Sequence, residues 1–436
     1  MLDGATRGIS CLRVSCSFRP RRESQPEIVI VIAKGLVTVG TRPNRNQVRR
    51  SGLLEETFRR NVIASEISGG TTVYAQFGDG RHAEYCHTVL PGYPEVAPHA
   101  PASQQSDSKS CNVPLKPSAQ RLAFRTFATI VLMSLVVVGS VAYDGLETPH
   151  GKVERILGGS CTYISLAASF FTHAKIVGVV GDDFAGEDVD FLQSRGIDLE
   201  GLERVPGKTF FWAGVYSADM NDRTTLVTDL NVFADFNPKI PEAYRSAPYL
   251  LLGNIQPALQ QSVRAQMDGV RFVGGDTMNF WIRDYRDELL ATIREWDFLL
   301  INDSEARMLS GEHNLRRAAA KIQAMGPHTL VIKRGEYGAI LFQGGEHFMV
   351  PGFLLEDVFD PTGAGDCFAG GFMGYLAQCG IDPRSKMDHK ELRRAVIYGS
   401  VMGSFCCEKF GPDRFRDLTR PEIDARYREF KAFTEF

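Results

Sequence analysis

A short stretch near the carboxyl end, DPTGAGDC at residues 360–367, places two carboxylates beside three small residues. Glycine is used where the backbone takes unusual dihedral angles or must approach another group closely. A glycine-rich turn that leads into a helix directs several N–H groups and the positive end of the helix dipole at an anion. We therefore predict that Gly363, Ala364 and Gly365 form a phosphate site at the start of the helix DCFAGGFMGYLAQ.

The position of Asp366 beside this anion site requires a chemical explanation. A carboxylate repels phosphate unless another group balances its charge or it takes up a proton during the reaction. Phosphoryl transfer uses an acidic residue of this kind to orient or deprotonate the attacking hydroxyl. A plain helix cap is the alternative, because aspartate is common at helix starts. The density of small residues around Asp366 favours the catalytic role.

A second polar motif, NDSEARMLSG at residues 302–311, follows the apolar run WDFLLI. Asn302 and Glu305 are three residues apart at the end of an expected strand. They could face a hydrated Mg²⁺ that is held mainly by phosphate oxygens and water. An N-terminal capping box with the same two residues explains the spacing equally well.

The elements that would position these residues begin at about residue 133. Short apolar runs alternate there with amphipathic segments, which is typical of βα units around a mainly parallel sheet. The apolar runs are SLVVVGSVA, AKIVGVVG, PYLLLGNI, VRFVGGD, WDFLLIND, HTLVIKRG and GAILFQ. We predict one α/β domain from residue 133 to residue 436.

Two parts of this region need separate interpretation. The apolar run at residues 127–144 approaches the length of a membrane span, but it contains Ser134, Gly139 and Ser140 and ends at Asp144. The part SLVVVGSVAYD, residues 134–144, is better explained as a buried parallel strand. Residues 208–231 contain two β-rich runs around a polar turn, which predicts an inserted hairpin that could act as a lid.

The first 132 residues lack this pattern and include a long run rich in proline, serine and alanine. We predict that they are poorly ordered. Met133 directly precedes the first expected strand, so the upstream part could be an over-extended reading frame. Detection of the full-length product in cells would exclude that idea. Residues 35–40 have the glycine spacing of a P-loop, but Thr41 and Arg42 stand where Lys and Ser/Thr are required.

The composition excludes several classes of function. The chain has 436 residues, is 44% hydrophobic and 23% charged, and carries a net charge of −3. That balance gives no basic field for nucleic acid. Nine cysteines are scattered without a CxxC pair or a zinc-type spacing. The chain opens without a clear secretory signal. We expect a cytoplasmic protein with reduced thiols and no membrane span.

Taken together, these segments resemble the ribokinase family, also called the PfkB carbohydrate kinases. DPTGAGD at residues 360–366 is similar to the long and specific carboxyl-terminal signature of that family. The other matching segments occur in the same order as in the family, and they are GGSCTY, GVVGDDFAG, the motif at residues 302–305, and VIKRGEYGA. The likeness extends from Met133 to about Phe410. It implies a three-layer α/β/α fold with a mainly parallel sheet and a small β lid.

The resemblance implies an ATP- and Mg²⁺-dependent transfer of the γ-phosphoryl group to a hydroxymethyl group of a sugar or nucleoside. Asp366 would be the base, and the amides of residues 363–365 would stabilise the charge on the transferred group. Nucleotide contacts would include Asn302, Lys333, Gly335, Gly338 and Thr362, with Glu305 helping to hold the metal. Acceptor contacts would include Asp144, Gly158, Gly159, Asn254, Asp276 and Asn279. A monovalent cation near Asp360 and a homodimer paired through lid strands are compatible with the resemblance.

One departure from the family pattern concerns the acceptor. Relatives often carry Asp-x-Asn-x-Arg, whereas GGDTMNFWIRD places Phe280 and Trp281 after Asp276 and Asn279. The loss of the basic residue leaves room for a nucleoside base stacked on an aromatic ring. The first hypothesis is therefore a sugar kinase, with an adenosine-like nucleoside kinase as the alternative. A catalytically weak sensor of a sugar or nucleotide is a hypothesis of another class, which an intact Asp366 disfavours.

Overall fold

The computed structural model describes residues 134–381 and 389–435, together with the backbone of six strands between residues 9 and 87. The chain divides into two compact units, Met1–Ala128 and Thr129–Phe436. The prediction that residues 1–132 are poorly ordered falls mostly on residues outside those described, and it stays a prediction.

The strands of the first unit form two small antiparallel sheets, each with three strands in chain order. The first sheet contains β1 (Ile9–Arg13), β2 (Glu27–Ala33) and β3 (Leu36–Arg42). The second contains β4 (Ser65–Ile67), β5 (Gly70–Gln76) and β6 (Ala83–His87).

The second unit contains two further sheets. Its strands are β7 (Leu135–Val138), β8 (Ala142–Thr148), β9 (Gly151–Gly158), β10 (Ala174–Val180), β11 (Asp198–Arg204), β12 (Phe210–Tyr216), β13 (Arg223–Asp229), β14 (Tyr249–Leu252), β15 (Phe272–Gly275), β16 (Phe298–Asn302), β17 (Thr329–Lys333), β18 (Ala339–Gln343) and β19 (Glu346–Val350). Nine of them form the central sheet in the order β11-β10-β7-β14-β15-β16-β17-β18-β19. Pairing is parallel up to β17 and antiparallel for β18 and β19.

The helices cover both faces of this sheet. They are α1 (Ser160–Ala168), α2 (Gly186–Ser194), α3 (Glu242–Arg245), α4 (Pro257–Ala265), α5 (Asn279–Asp284), α6 (Arg286–Ile293), α7 (Asp303–Ser310), α8 (Leu315–Gln323), α9 (Ala364–Gln378), α10 (His389–Cys406), α11 (Arg414–Asp417) and α12 (Arg420–Thr434). Short 3₁₀ turns occur at Asn231–Asp235 and Gly335–Tyr337.

Strand β7 shows how the layers form. All four of its residues are buried, and alternate side chains point to opposite faces of the sheet. Leu135 and Val137 pack in the apolar layer with α1, α9 and α10, whereas Val136 and Val138 pack in the layer with α4 and α6–α8. A strand buried on both faces reads as a continuous apolar run. The predicted three-layer α/β/α fold is confirmed.

A separate sheet supplies the predicted lid. Its four strands lie in the order β13-β12-β8-β9, with β12 and β8 parallel and the outer pairs antiparallel. The expected hairpin of residues 208–231 forms β12 and β13. Strand β13 is largely exposed. The lid sheet therefore also includes β8 and β9, which residues 149–150 connect.

The first strand differs from the sequence prediction. We expected it to continue to Asp144, but the structure ends β7 at Val138, and Asp144 lies inside the lid strand β8. The reason is a close approach at Gly139, where a Cβ atom would lie 2.6 Å from the Ser160 hydroxyl oxygen. The Ser140 carbonyl then accepts a hydrogen bond from the Cys161 amide, which turns the chain at the start of α1.

The parallel pairing of β7 with β10 and β14 confirms the strand interpretation for its residues. Residues 127–133 of the same apolar run lie outside the described part. Among the helices within residues 134–381 and 389–435, none combines the length and apolar composition that a bilayer crossing requires.

Candidate active site

Polar side chains gather at the carboxyl ends of four neighbouring strands of the central sheet. Asn254 follows β14 and Asp276 follows β15, while Asn302 and Lys333 are the last residues of β16 and β17. Asn302 and Lys333 are register partners. Since parallel strands end at the same edge, ligands of open α/β sheets bind there. The sequence motifs thus meet at one edge of the sheet.

Helix α9 brings the glycine-rich motif to this edge. Gly363 caps the helix with φ of 76°, in the left-handed region that glycine tolerates. A Cβ atom there would lie 2.5 Å from the Tyr163 ring. The Ala364 amide donates to the Pro361 carbonyl, whereas the amides of Gly365 and Asp366 have no backbone acceptor within the described residues. The prediction named the amides of Gly363, Ala364 and Gly365. Within the described residues the Ala364 amide is engaged, and the amides of Gly365 and Asp366 are the ones available to an anion, whose binding here stays a prediction.

The turn before the helix is held by Asp360, which is fully buried. One carboxylate oxygen accepts from the Thr362 amide and the other from the Gly411 amide, each at 2.9 Å. The Cys406 thiol donates to the Thr362 carbonyl at 3.3 Å. These contacts fix the backbone on the amino-terminal side of Gly363. The relation of Asp360 to a monovalent cation stays a prediction.

The ionisation of Asp366 suits a general base. Burial raises the pKa of its carboxyl group to about 6, while the positive charges of Lys333 and Arg223 lower it. The Lys333 ammonium lies 3.5 Å from the Gly365 carbonyl oxygen, beside the first turn of α9. A carboxylate with a pKa just below neutrality is ionised at pH 7 and still accepts a proton readily.

Asp144 faces the same region from the lid. Its carboxyl group is buried, and burial together with the charges of Asp360 and Asp366 raises its pKa to about 8. Arg223 opposes this shift. When environments push the pKa values of two carboxyl groups apart, the groups take different roles. At neutral pH Asp366 is the ionised member and Asp144 keeps its proton, which it can donate to an oxygen of a bound molecule.

The two predicted glycines at the end of β9 shape the surroundings of Asp144. A Cβ atom at Gly158 would lie 2.0 Å from the Asp144 Oδ2 atom. Gly159 has φ of 93° and caps α1, and a Cβ atom there would lie 2.4 Å from the Ser140 carbonyl oxygen. Gly158 therefore makes space for a carboxyl group, whereas Gly159 permits the turn between the lid and the central sheet.

Replacing Gly158 with Ala should displace the Asp144 side chain without altering the nucleotide site. We expect kcat/KM for the acceptor to fall by about 10-fold, the value of one good hydrogen bond, while ATP affinity is retained. Steady-state kinetics with each substrate varied in turn would measure both effects. Gly186→Ala is the matched control, because nothing lies within 4 Å of a Cβ atom there. An equal loss of affinity for ATP would contradict the prediction that Asp144 contacts the acceptor.

The Asn302 and Glu305 motif forms the capping box. The Glu305 amide donates to the Asn302 side-chain oxygen at 2.8 Å, and the Asn302 amide donates to a Glu305 carboxylate oxygen at 2.9 Å. Burial raises the pKa of Glu305, although the Asn302 amide and the charges of Lys333 and Arg223 lower it. The cap fixes the Glu305 carboxyl group at the strand edge. Its role as a metal ligand stays a prediction.

Asp276 carries an unmet hydrogen-bonding requirement. Its Oδ1 atom is buried and has no hydrogen-bond partner within the described residues. Burial and the charges of Asp366 and Glu305 raise the pKa of its carboxyl group, and Lys333 lowers it. The unpartnered oxygen is available to a bound molecule, and the predicted contact of Asp276 with the acceptor stays a prediction.

The structure places the two asparagines that were predicted as acceptor contacts, Asn254 and Asn279, in different surroundings. The Asn254 side chain accepts from the Trp281 indole N–H at 2.8 Å and donates to the Met278 sulfur. Asn279 is exposed at the start of α5, and its side-chain oxygen accepts from the Phe280 amide. The structure brings Asn254 to the strand edge, whereas Asn279 makes no described contact with the buried carboxyl groups.

Gly335 and Gly338 form the turn between β17 and β18. Both have positive φ, 55° and 83° respectively, and the Arg334 amide donates to the Gly338 carbonyl. A Cβ atom at Gly338 would lie 2.0 Å from the Val350 carbonyl oxygen. The turn follows Lys333 directly. Its contact with a nucleotide stays a prediction.

Two lid residues were not found from the sequence. The charge of Arg223, the first residue of β13, acts on Asp144, Glu305 and Asp366. The Tyr216 hydroxyl shares a 2.8 Å hydrogen bond with the Thr362 hydroxyl. Neither residue lies in a recognisable motif. The one available signal was their position at the two ends of the polar turn in the predicted hairpin.

Comparison with known proteins identifies the family. The family model of the pfkB family carbohydrate kinases matches residues 133–417, which is more than half of the chain. This chain belongs to the PfkB family. The predicted family is confirmed, and with it a phosphotransferase that acts on a hydroxyl group of a sugar or nucleoside.

Curated members of the PfkB family are similar over most of their length. The chain is 30% identical to the cytidine kinase of Thermococcus kodakarensis over 252 residues, covering 56% of this chain and 89% of that protein. It is 25% identical to the 2-dehydro-3-deoxygluconokinase of Thermoproteus tenax over 308 residues, covering 62% of this chain and 86% of that protein.

A solved PfkB-type structure supports the fold. The nucleoside kinase of Burkholderia thailandensis in complex with inosine aligns with a TM-score of 0.55 at 22% identity. The alignment covers 68% of this chain and 99% of that one. At this identity the likeness concerns the fold alone.

Proposed function

We propose that this protein transfers the γ-phosphoryl group of ATP to a hydroxymethyl group of a sugar. The observation that carries the proposal is the geometry at the start of α9. There a carboxyl group with a pKa of about 6, Asp366, stands beside the Lys333 ammonium and two backbone amides that have no backbone acceptor in the described part of the chain. A base next to an anion site is the arrangement that phosphoryl transfer requires.

In the proposed reaction, Asp366 accepts the proton of the hydroxymethyl group as its oxygen attacks the γ-phosphorus. The bond from the γ-phosphorus to the bridging oxygen breaks, and ADP leaves with that electron pair. The amides of Gly365 and Asp366 at the start of α9 would donate hydrogen bonds to the oxygens of the transferred group, where negative charge is greatest, whereas the predicted amide of Ala364 is engaged by the Pro361 carbonyl. Asp144, placed by Gly158, holds another hydroxyl of the acceptor and thereby orients the reacting one.

The remaining predicted residues would serve the nucleotide. The Lys333 ammonium lies 3.5 Å from the Gly365 carbonyl oxygen, Thr362 directly precedes the helix cap at Gly363, and the turn of Gly335 and Gly338 follows Lys333. Glu305, with Asn302 beside it, would hold Mg²⁺. Asp276, whose buried oxygen has no partner within the described residues, would contact the acceptor as predicted. When bound, Mg²⁺ supplies positive charge to the phosphate oxygens. We place this activity in residues 133–436, with β8, β9, β12 and β13 as the lid.

A nucleoside is the second candidate acceptor, and two observations favour it. The cytidine kinase of T. kodakarensis is 30% identical over most of its length. In this chain Phe280 is 38% exposed and lies 4.9 Å, between ring centroids, from Trp281, whose N–H binds Asn254 at the strand edge. An exposed ring near the acceptor contacts could stack on a base.

The test is ADP release by the full-length protein with MgATP and a panel of acceptors. The panel contains ribose, fructose, fructose 6-phosphate, 2-dehydro-3-deoxygluconate, adenosine, inosine and cytidine. Turnover on a free sugar alone would support the first candidate, and turnover on nucleosides alone would support the second. Phe280→Ala should weaken only nucleoside turnover. Silence on the whole panel, with ATP still bound, would favour the sensor hypothesis.

A further inference from the structure

A hydrogen bond joins the lid to the turn that precedes the predicted anion site. The Tyr216 hydroxyl, at the end of β12, lies 2.8 Å from the Thr362 hydroxyl, directly before Gly363. Tyr216 is 9% exposed, and the hydrogen bond is partly buried. Loss of a partner for a partly buried hydroxyl costs stability, so the bond is a specific link between the lid and the turn before α9.

Thr362 is held on three sides. Its amide donates to Asp360, its carbonyl accepts from the Cys406 thiol, and its hydroxyl meets Tyr216. The first two contacts come from the body of the domain, and the third comes from the lid. Because Thr362 directly precedes the helix cap at Gly363, its orientation affects the direction of the free amides of α9.

Tyr216 also stands at a central point of the lid sheet. Its strand β12 pairs with β8 on one side, where Asp144 is the register partner of Trp212 in β12. On the other side β12 pairs with β13, where Arg223 is the register partner of Tyr216. Strand β12, whose Tyr216 bonds to Thr362, therefore lies between the strand that carries Asp144 and the strand that carries Arg223. A shift of β12 would move both groups relative to the anion site.

We propose that Tyr216 is a positioning residue that couples closure of the lid to the alignment of the anion site through Thr362. The inference rests on the proposed function for its catalytic consequence. With the hydrogen bond in place, the amides of Gly365 and Asp366, the base and the acceptor carboxyl are held in one arrangement. Without it, the lid can close while the amides are misdirected, and water can enter beside the nucleotide.

The test compares Tyr216→Phe, which removes only the hydroxyl, with the wild-type full-length protein. We expect kcat to fall by about 10-fold, with the KM for ATP nearly unchanged, because the bond orients groups that act in the transition state. ATP hydrolysis without an acceptor should rise relative to phosphorylation. Thr362→Val should match this result, and Thr362→Ser, which keeps the hydroxyl, should restore most of the rate.

The double variant Tyr216→Phe with Thr362→Val provides the decisive comparison. If the two hydroxyls act through one bond, the double variant should be no slower than either single one. Tyr427→Phe is the matched control, a half-buried tyrosine on α12 that lies outside the site. Fully additive losses, or a Tyr216→Phe rate equal to that of the control, would overturn the coupling.

Hydrogen exchange separates this proposal from the proposed function. In the nucleotide complex, Tyr216→Phe should speed exchange of the amides at residues 362–366, whereas Tyr427→Phe should not. This readout needs no acceptor. Faster exchange together with silence on every acceptor would reject the kinase assignment but keep the coupling. Unchanged exchange in Tyr216→Phe would overturn the coupling even in an active kinase.

Discussion

Replacing Asp366 with Asn is expected to lower kcat by about 100-fold or more while leaving ATP binding nearly intact. Asn has almost the same shape and keeps the backbone amide that faces the anion site, but it cannot take the proton of the attacking hydroxyl. The same assignment predicts the pH dependence of the wild-type rate. Because the base must be ionised and its pKa is about 6, the rate should rise with pH through about pH 6 and level off, then fall above about pH 8 as Asp144 loses the proton that it donates.

The measurement is steady-state turnover at several pH values, with ATP affinity measured by calorimetry. Asp357→Asn is the matched control, an exposed aspartate on the segment that leads into the same motif. It should leave turnover unchanged, and also the acidic limb of the pH–rate profile, which is the range below about pH 6 in which the rate rises. An Asp366→Asn variant with a wild-type rate would remove the base assignment.

Replacing Arg223 with Ala is expected to lower turnover at neutral pH by about 2- to 5-fold. The side chain is exposed, so solvent weakens the effect of its charge on the buried carboxyl groups. Arg223 lowers the pKa of Asp366, so its removal should raise that pKa and move the acidic limb to higher pH. A higher pKa leaves less ionised base at a given pH. The rate should therefore recover in part as the pH increases.

Arg223→Lys separates charge from shape. It should keep the position of the acidic limb, since an ammonium at the same site still favours the ionised carboxylate. Arg316→Ala, an exposed arginine on α8, is the control for net charge. Added salt should reduce the difference between wild type and Arg223→Ala, because exposed charges are screened. If Arg223→Ala has the same turnover and the same acidic limb of the pH–rate profile as the wild type, the arginine plays no part in the site.

Much of the fold and part of the site could be predicted from the sequence. The apolar runs of β7, β14, β16 and β17 are continuous because both faces of the sheet are covered, and this pattern is local. The glycine-rich turn with Asp366 and the cap of Asn302 and Glu305 are also local, because their hydrogen bonds join residues that are close in the chain.

The rest depends on contacts between distant residues. The end of β7 is set by the approach of Gly139 to Ser160, which no pattern within the strand reveals. Arg223 and Tyr216 reach the site only because β12 pairs with β8 across intervening helices. The pKa values of Asp144 and Asp366 differ because the fold surrounds the two buried carboxyl groups with different charges. None of these effects follows from residue type and spacing alone.

The exposure of β13 also has a consequence for the stability of the lid. Six of the seven residues of β13 are exposed, so this outer strand buries little apolar surface. Segments with few buried contacts open locally at a lower free energy than the core. The lid should therefore be among the first parts of the domain to lose structure under mild denaturant, while the central sheet, whose strand β7 is buried on both faces, stays folded.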